Sequence, residues 1–266
     1  MKQRLAWVPN MITMGNVFCG FLAILFVTRV HEDAHLPYYQ IKSDPYYYKL
    51  AMIMMLVAGI LDFFDGFIAR KLGVSSEVGR ELDSLADIVS FCVAPALLIY
   101  QRALVGTHWF GVIAVAVYVC CGAFRLARYN VLAAAGRGGT MGKRYFTGMP
   151  VEGGTAILIA FVLSSRHVQT NHLMIYAALA SVLIAGAFMV STIRFTADVP
   201  WFIRVGALVV MFMAFRYPGR WAISIPILYI VYALISNAIA RRAEHRCAQE
   251  ADRYHPTAMD DPAIIH

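Results

Sequence analysis

Four aspartates lie within the stretch ILDFFDGFIARKLGVSSEVGRELDSLADIVSF, residues 60–91, which otherwise has the composition of apolar helix. Asp62 and Asp65 are spaced i,i+3, and Asp83 and Asp87 are spaced i,i+4. On a helix, either spacing puts both side chains on one face. Gathered carboxylates bind hard divalent cations such as Mg²⁺, Mn²⁺ or Ca²⁺. Two such ions would balance four aspartates and stabilise a phosphoryl displacement, whereas helix capping would explain one aspartate but not all four.

The residues between the two aspartate pairs favour a metal–diphosphate site. Gly66 and Ala69 leave room for a ligand near the backbone, and Arg70 offers a forked cation for phosphate. Ser76 adds a hydroxyl, and Gly79 allows close backbone access. Taken singly, the two small residues would equally serve helix packing, and the arginine would be an ordinary cytoplasmic positive charge. Together with the carboxylates they predict a site for a metal-bound diphosphate.

The elements that must carry these side chains are membrane helices. Of the 266 residues, 60% are hydrophobic and only 15% are charged, whereas soluble domains carry about 25% charged residues. Apolar runs of about 20 residues, enough to cross a bilayer, recur along the chain. We therefore predict an all-α, polytopic membrane helix bundle of about eight spans. These lie near 8–29, 49–71, 81–101, 109–129, 150–165, 173–194, 199–215 and 221–240.

The distribution of positive charge predicts the orientation of the bundle. With a cytoplasmic N-terminus, sixteen of the 23 lysines and arginines fall on the cytoplasmic side, which favours both termini inside. The expected location is a bacterial cytoplasmic membrane. The net charge of +7 then reflects topology and contact with anionic membrane lipids. No nucleic-acid-binding motif is present, so no nucleic-acid partner is expected. We expect one catalytic domain over 1–242 and a polar, flexible cytoplasmic tail over 243–266.

This topology brings the four aspartates together near the cytoplasmic face. The two helices that carry them are joined by KLGVSSEVGRE, residues 71–81, and form an antiparallel hairpin. At 1.5 Å per residue, the first pair lies roughly 9–14 Å before the turn, and the second pair roughly 5–10 Å after the start of the next helix, near Arg80. We therefore predict one site, built from two helices, just below the cytoplasmic surface.

The spacing of these residues resembles the signature of the CDP-alcohol phosphotransferase family. The matching positions are Asp62-x-x-Asp65-Gly66-x-x-Ala69-Arg70, then eight residues, then Gly79-x-x-x-Asp83-x-x-x-Asp87. The resemblance implies a membrane enzyme that transfers a phosphorylated lipid group from a CDP-linked lipid to an alcohol and releases CMP. It further implies two Mg²⁺ or Mn²⁺ ions, no covalent intermediate and a homodimer.

The resemblance also implies a role for each acid. Asp62, Asp65 and Asp83 would ligate metal. Asp87 would contact the second metal and act as general base on the alcohol.

For the CDP-lipid, the resemblance implies a set of contacts spread over two stretches of sequence. The first stretch, VPNMIT at 8–13, resembles the N-terminal CDP-lipid contact of the family, although ordinary helix-start chemistry explains it equally well. The second stretch is the signature itself. The implied contacts are Asn10, Thr13, Gly66, Ala69, Arg70, Ser76 and Gly79.

Three further stretches resemble the phosphatidylserine synthase branch of the family, which makes CDP-diacylglycerol and L-serine the expected substrates. They are PNMITMGNVFCGFLAI (9–24), CGAFRLARYNV (121–131) and FMVSTIRF (188–195). The serine carboxylate favours a cationic pocket, for which Arg125, Arg128 and Arg194 are candidates, although each would equally be a topology anchor. Glu152 lies in FTGMPVEGGTAIL (146–158), which departs from the usual small residues of the branch. It would pair with an arginine or the serine ammonium, or be an interfacial glutamate.

Two alternatives to a serine-specific enzyme stay open. One is a sister enzyme of the same family that uses glycerol phosphate, inositol phosphate or another lipid core. The other is a divalent-cation transporter with the aspartates as its binding site. The position of the site near one face, the absence of an apparent inverted repeat and the Gly/Arg spacing argue against a transporter.

Overall fold

A computed structural model describes residues 7–29, 45–73, 76–134, 145–164, 172–196 and 242. Seven α-helices run through this part of the chain. They are α1 (Trp7–Arg29), α2 (Pro45–Leu72), α3 (Glu77–Asp87), α4 (Ala94–Ile99), α5 (Trp109–Ala134), α6 (Val151–Ser164) and α7 (His172–Val190). A short antiparallel pair, β1 (Tyr145–Thr147) and β2 (Arg194–Thr196), aligns Phe146 with Phe195. The all-α class is therefore confirmed, with this small pair as its only described strands.

Five helical segments are long and apolar enough to cross a bilayer, which supports an integral membrane protein. They are Trp7–Arg29, Tyr46–Ala69, Glu77–Thr107, Trp109–Ala134 and His172–Val190, and they correspond to the first four predicted spans and the sixth. The fifth predicted span is the apolar helix α6, which has only 14 residues. The predicted spans at 199–215 and 221–240, and the tail at 243–266, lie outside the described residues.

The third span, Glu77–Thr107, forms the centre of the bundle. In an apolar stretch of 18 residues within this span, 56% of the residues are buried inside the protein. In the corresponding stretch of each of the other four spans the share is 28%. It consists of α3, a π-helical segment (Ile88–Val93), α4, a second π-helical segment (Tyr100–Leu104) and a 3-10 turn. It contacts α1, α2, α5, α6 and α7, so side chains on it can meet groups from every other described helix.

Small residues bring α1 close to the third span. A Cβ atom added at Gly20 would collide with the Ser90 side chain and would lie 2.9 Å from the Ser90 Cα atom. The Ser90 hydroxyl donates to the main-chain oxygen of Asn16 at 3.1 Å. Close approach through small residues is how helices associate in a bilayer, where the lipid gives them no hydrophobic reason to do so. The contact fixes the register of α1 against the third span.

The π-helical segment that follows Asp87 is attached to two neighbouring helices at one atom. The main-chain oxygen of Phe91 accepts hydrogen bonds from the Thr155 hydroxyl of α6 at 2.7 Å and the Tyr118 hydroxyl of α5 at 3.2 Å. A π-helical turn departs from the regular i→i−4 bonding and is often found beside functional sites. These two bonds hold α5 and α6 against the part of the third span that carries Asp87.

The turn between α2 and α3 is set by two residues. Gly73 has a positive φ of 60°, a conformation that glycine adopts without strain just after a helix end. The Ser76 hydroxyl caps α3 by accepting a hydrogen bond from the Gly79 amide at 2.9 Å. Because of this cap, α3 begins at Glu77, three residues before the start predicted near Arg80.

Candidate active site

The four aspartates of α2 and α3 meet at one place. One carboxylate oxygen from each of Asp62, Asp83 and Asp87 lies within 4.8 Å of the others. Asp65, which is 5% exposed, interacts electrostatically with both Asp62 and Asp83. Its Oδ2 atom accepts a hydrogen bond from the Thr13 hydroxyl at 2.7 Å. These four residues are called the acid cluster below.

The donor set of the acid cluster fits divalent cations. Carboxylate oxygens are the hard ligands that Mg²⁺ and Mn²⁺ prefer. Asp87 is 7% exposed, and its Oδ1 atom has no hydrogen-bond partner. Several carboxylates at this separation repel one another in a poorly solvated site. Positive charge placed among them would relieve the repulsion.

A pocket opens from the acid cluster toward the α2–α3 turn. Its lining residues are Pro9, Asn10, Thr13, Asp65, Gly66, Ala69, Ser76, Gly79, Arg80 and Asp83. Six of the seven predicted CDP-lipid contacts are among them. The seventh, Arg70, lies in the last turn of α2, and its side chain is outside the described part of the chain. Residues that are far apart in sequence thus line one opening that contains two of the aspartates.

Gly79 leaves room for two polar side chains that line this pocket. A Cβ atom added at Gly79 would lie 2.8 Å from Asn10 Oδ1 and 2.9 Å from Ser76 Oγ. Both distances are shorter than a normal carbon–oxygen contact, so a larger residue would displace the Asn10 side chain or the helix cap. The glycine therefore lets the start of α1 reach the start of α3.

Glu152, in the first turn of α6, approaches the acid cluster from another direction. It interacts electrostatically with Asp62, Asp83 and Asp87. The hydrogen bond from Thr155 to the Phe91 oxygen explains its position. Glu152 lies three residues before Thr155 in α6, and Asp87 lies four residues before Phe91 in the third span. Both acids therefore lie about one helical turn before the hydrogen bond that joins these two segments.

Arg125, on α5, is the predicted acceptor-pocket arginine that the structure brings to the acid cluster. It interacts electrostatically with Asp87. Two hydrogen bonds hold α5 against the third span on either side of it. The first is the Tyr118 bond to the Phe91 oxygen, and the second runs from the Asn130 side-chain amide to the Ser84 hydroxyl at 2.9 Å.

The other two candidate arginines lie elsewhere. Arg128 donates to the main-chain oxygens of Val190 at 3.1 Å and Ser191 at 3.4 Å, where it satisfies carbonyl groups at the C-terminal end of α7. Arg194 begins β2, and its side chain is outside the described part of the chain. The contacts of Arg128 favour a structural role.

Two pocket residues, Pro9 and Arg80, were not predicted. Arg80 is exposed and lines the pocket directly after Gly79. Sequence could have indicated Arg80, because it lies between two residues of the aspartate signature. This indication is as strong as the one that pointed to Arg70. Pro9 precedes Asn10 in VPNMIT and has no polar side-chain atom, so its type gave no such signal.

Comparison with known proteins identifies the family. A family model described as CDP-alcohol phosphatidyltransferase matches residues 6–193, which include all seven helices and the acid cluster. The chain belongs to this family. The resemblance that the aspartate signature indicated is confirmed, and the chain shares with the family the whole region that builds the pocket.

Several curated members of the CDP-alcohol phosphatidyltransferase family are similar to this chain. It is 42% identical over 125 residues to the CDP-diacylglycerol–serine O-phosphatidyltransferase of Bacillus subtilis, a match that covers 47% of this chain and 62% of that protein. The archaetidylserine synthase of Methanothermobacter thermautotrophicus is 32% identical over 180 residues, 67% of each chain. The CDP-diacylglycerol–serine O-phosphatidyltransferase of Helicobacter pylori strain 26695 is 27% identical over 234 residues, covering 85% of this chain and 89% of that protein. The chain thus matches less than two thirds of the length of the Bacillus relative.

Proposed function

We propose that this chain is a CDP-diacylglycerol–serine O-phosphatidyltransferase, which transfers the phosphatidyl group of CDP-diacylglycerol to the hydroxyl of L-serine and releases CMP. The observation that carries the proposal is the meeting of the acid cluster with a pocket lined by six of the expected CDP-lipid contacts. Family membership supports the reaction type. The names of the Bacillus and Helicobacter relatives support serine as the acceptor.

The CDP part of the lipid would occupy the pocket between α1, α2 and α3. Gly66, Ala69 and Gly79 add little side-chain bulk to its wall, so a diphosphate can approach the backbone closely. The Ser76 oxygen already accepts from the Gly79 amide, which leaves its hydroxyl hydrogen to donate to a phosphate oxygen. Arg70 would add a forked cation. The acyl chains would remain in the bilayer beside the helices.

The transfer would proceed in one displacement. Asp62, Asp65, Asp83 and Asp87 would hold two Mg²⁺ or Mn²⁺ ions, which stabilise negative charge on the diphosphate when bound. Asp87 would take the proton of the serine hydroxyl while the serine oxygen bonds to the phosphatidyl phosphorus. The bond from that phosphorus to the bridging oxygen would break, and CMP would leave with the electron pair. The proton would then pass from Asp87 to solvent.

The charges beside Asp87 suit a zwitterionic amino acid. Glu152 would bind the serine ammonium and Arg125 the serine carboxylate, which would direct the hydroxyl toward Asp87. A phosphorylated alcohol such as glycerol phosphate lacks an ammonium and would be repelled by Glu152. Arg194 stays a candidate for the carboxylate or for lipid phosphate, whereas Arg128 is already bonded to the end of α7.

The proposal includes the arrangement of the whole chain in the membrane. We propose about eight spans, both termini in the cytoplasm, and a single catalytic domain over 1–242 followed by a cytoplasmic tail over 243–266. The acid cluster would lie near the cytoplasmic face of a bacterial membrane, where CMP and serine exchange with the cytosol. The enzyme would act as a homodimer.

The direct test is turnover in liposomes. Purified protein with CDP-diacylglycerol, labelled L-serine and Mn²⁺ should give phosphatidylserine and CMP in equal amounts. Turnover with glycerol phosphate or inositol phosphate, but not with serine, would overturn the acceptor. Uptake of Mn²⁺ into vesicles without any CMP release would instead favour a cation transporter.

A second lipid core is worth testing because the Methanothermobacter relative is an archaetidylserine synthase. The same assay with a CDP-linked archaeol in place of CDP-diacylglycerol would measure the preference. We expect the diacylglycerol substrate to give the higher kcat/KM. A strong preference for the archaeol lipid would change the donor and leave the serine acceptor in place.

A further inference from the structure

Asn16, on α1, is a buried polar residue that the proposed reaction does not use. Its side chain is 0% exposed, and neither Nδ2 nor Oδ1 has a hydrogen-bond partner. Buried amides without partners are uncommon because their desolvation is not repaid. Within the described part of the chain, the only other buried side-chain atom in this condition is Asp87 Oδ1. An unpaired donor and an unpaired acceptor are thus both present in the core.

The contacts of α1 place Asn16 at the level of Asp87. Asn10 approaches Gly79 near one end of α1, and Gly20 approaches Ser90 further along. The two helical segments therefore run side by side in the same direction. Ten residues of α1 correspond to eleven of the third span, so Asn16 is level with residues 85–87.

The side of α1 on which Asn16 lies also faces the acid cluster. Thr13, one turn earlier on the same buried face of α1, donates to Asp65 at 2.7 Å. One turn further on is Gly20, which meets the third span at Ser90. Side chains on a helix lean toward its N-terminus, so the Asn16 amide leans toward the acid cluster rather than toward Ser90.

We propose that Asn16 is a positioning residue for the acid cluster. Its amide nitrogen donates through one water to Asp87 Oδ1 and fixes the orientation of that carboxylate. The other Asp87 oxygen is then held toward Asp62 and Asp83, ready for the metal and for the proton of the acceptor. An amide suits this task because it donates without adding charge to a crowded site. The expected effect on turnover rests on the proposed function, whereas the expected effect on metal binding does not.

Mn²⁺ binding and steady-state kinetics test this role together. Asn16→Leu keeps the approximate side-chain volume but removes the hydrogen-bond donor. Asn16→Ala removes both the volume and the donor. Loss of a group that orients a metal ligand typically lowers metal affinity or activity about 10–100-fold. We expect that loss in Mn²⁺ affinity, measured from the paramagnetic resonance of free Mn²⁺, and in kcat for both variants, with the KM for CDP-diacylglycerol changing less than about twofold.

A matched control lies on the same buried face of α1. Val27 is 0% exposed and apolar, so Val27→Ala should lower thermal stability while leaving Mn²⁺ affinity and kcat unchanged. Asn16→Ser, which retains a donor, should recover much of the Mn²⁺ affinity that Asn16→Ala loses.

Three results would overturn the proposal. The first is wild-type Mn²⁺ affinity and kcat in Asn16→Leu, and the second is an Asn16→Ser variant as weak as Asn16→Ala. The third is the failure of all three variants to purify folded, because this would make Asn16 a residue of the core. If the wild type releases no CMP with serine, the proposed function fails, but the comparison of Mn²⁺ affinities still decides the role of Asn16.

Discussion

Asp87 is the residue that we propose both binds metal and accepts the proton of the acceptor. It lies at the end of α3, is buried, and is within reach of two other aspartates. Asp87→Asn keeps an oxygen that can contact metal but removes the basic group. We therefore expect CDP-lipid binding close to wild type, Mn²⁺ affinity lower by about 10–100-fold and, at saturating Mn²⁺, kcat lower by about 10²–10⁴-fold. Binding is measured by equilibrium titration and kcat by CMP release.

The control for this variant is Glu81→Gln, an exposed acid of the same helix that is not part of the acid cluster. It should turn over at the wild-type rate. Normal turnover in Asp87→Asn would contradict the assignment of the general base.

Glu152 provides a separate test of acceptor recognition. Glu152→Gln removes the charge and keeps the shape, so the serine ammonium loses a charged partner. Loss of a charge-assisted hydrogen bond of this kind should raise the KM for serine about tenfold or more. The KM for CDP-diacylglycerol should be unchanged. Glu77→Gln, an acid in the first turn of α3, is the matched control and should leave both KM values unchanged.

At the level of residues, sequence predicts the acid cluster well and its neighbours less well. We could predict that the four aspartates meet from their spacing and from the short connection between their helices. The helical period and the hairpin leave little freedom in where these side chains lie relative to one another. The proposed role of Asn16 and the contacts of Arg128 depend on register and on main-chain oxygens of segments that are distant in sequence. Residue type alone does not carry that information.

The packing of α1 against the third span makes a prediction at the level of elements. Gly20→Ala would bring a methyl group into the Ser90 side chain and backbone, and such overpacking costs about 1–3 kcal/mol. We expect a lower Tm and a fall in turnover, because α1 also carries Asn10 and Thr13.

Gly59→Ala is the control for this substitution. Its added methyl would meet only the Phe91 ring at 3.7 Å, an ordinary contact. Thermal unfolding in detergent, followed by fluorescence, compares the two variants. Equal Tm values would show that the α1 contact tolerates added volume.

Most helices could be predicted from the length of their apolar runs, but the irregular segments could not. The π-helical segment Ile88–Val93 is accompanied by hydroxyl groups of Tyr118 and Thr155, which come from two other helices. The strands β1 and β2 have only three residues each, too few for a periodic signal. In each case the local conformation depends on partners that sequence order does not reveal.

For the whole molecule, the two ends of the third span make the proposed orientation testable. Glu77 lies at its start and Trp109 directly beyond its last turn, and both are exposed. In a variant without the five native cysteines, Glu77→Cys should react with an impermeant maleimide only in inverted vesicles, and Trp109→Cys only in intact cells. The reverse pattern would place the acid cluster at the outer face.

Composition and the length of the apolar runs were sufficient to predict an integral membrane helix bundle. They could not rank the spans by their place in it. The third span contains the acidic pair Asp83 and Asp87 and is the least apolar of the five, yet it is also the most buried. Its central position follows from its contacts with α1, α2, α5, α6 and α7, which are a property of the assembled protein.

The π-helical segment after Asp87 also affects where the span can lose a residue. A π-helical turn contains about one residue more than an α-helical turn. Deleting a single codon between Ile88 and Val93 would remove this extra residue, and the two halves of the span would keep their faces as the segment becomes regular α-helix. The regular helix α3 has no extra residue to remove, so deleting a single codon between Asp83 and Asp87 would rotate the two aspartates against each other by about 100°. The same loss of one residue would therefore damage the acid cluster far more in α3 than in the π-helical segment just after it.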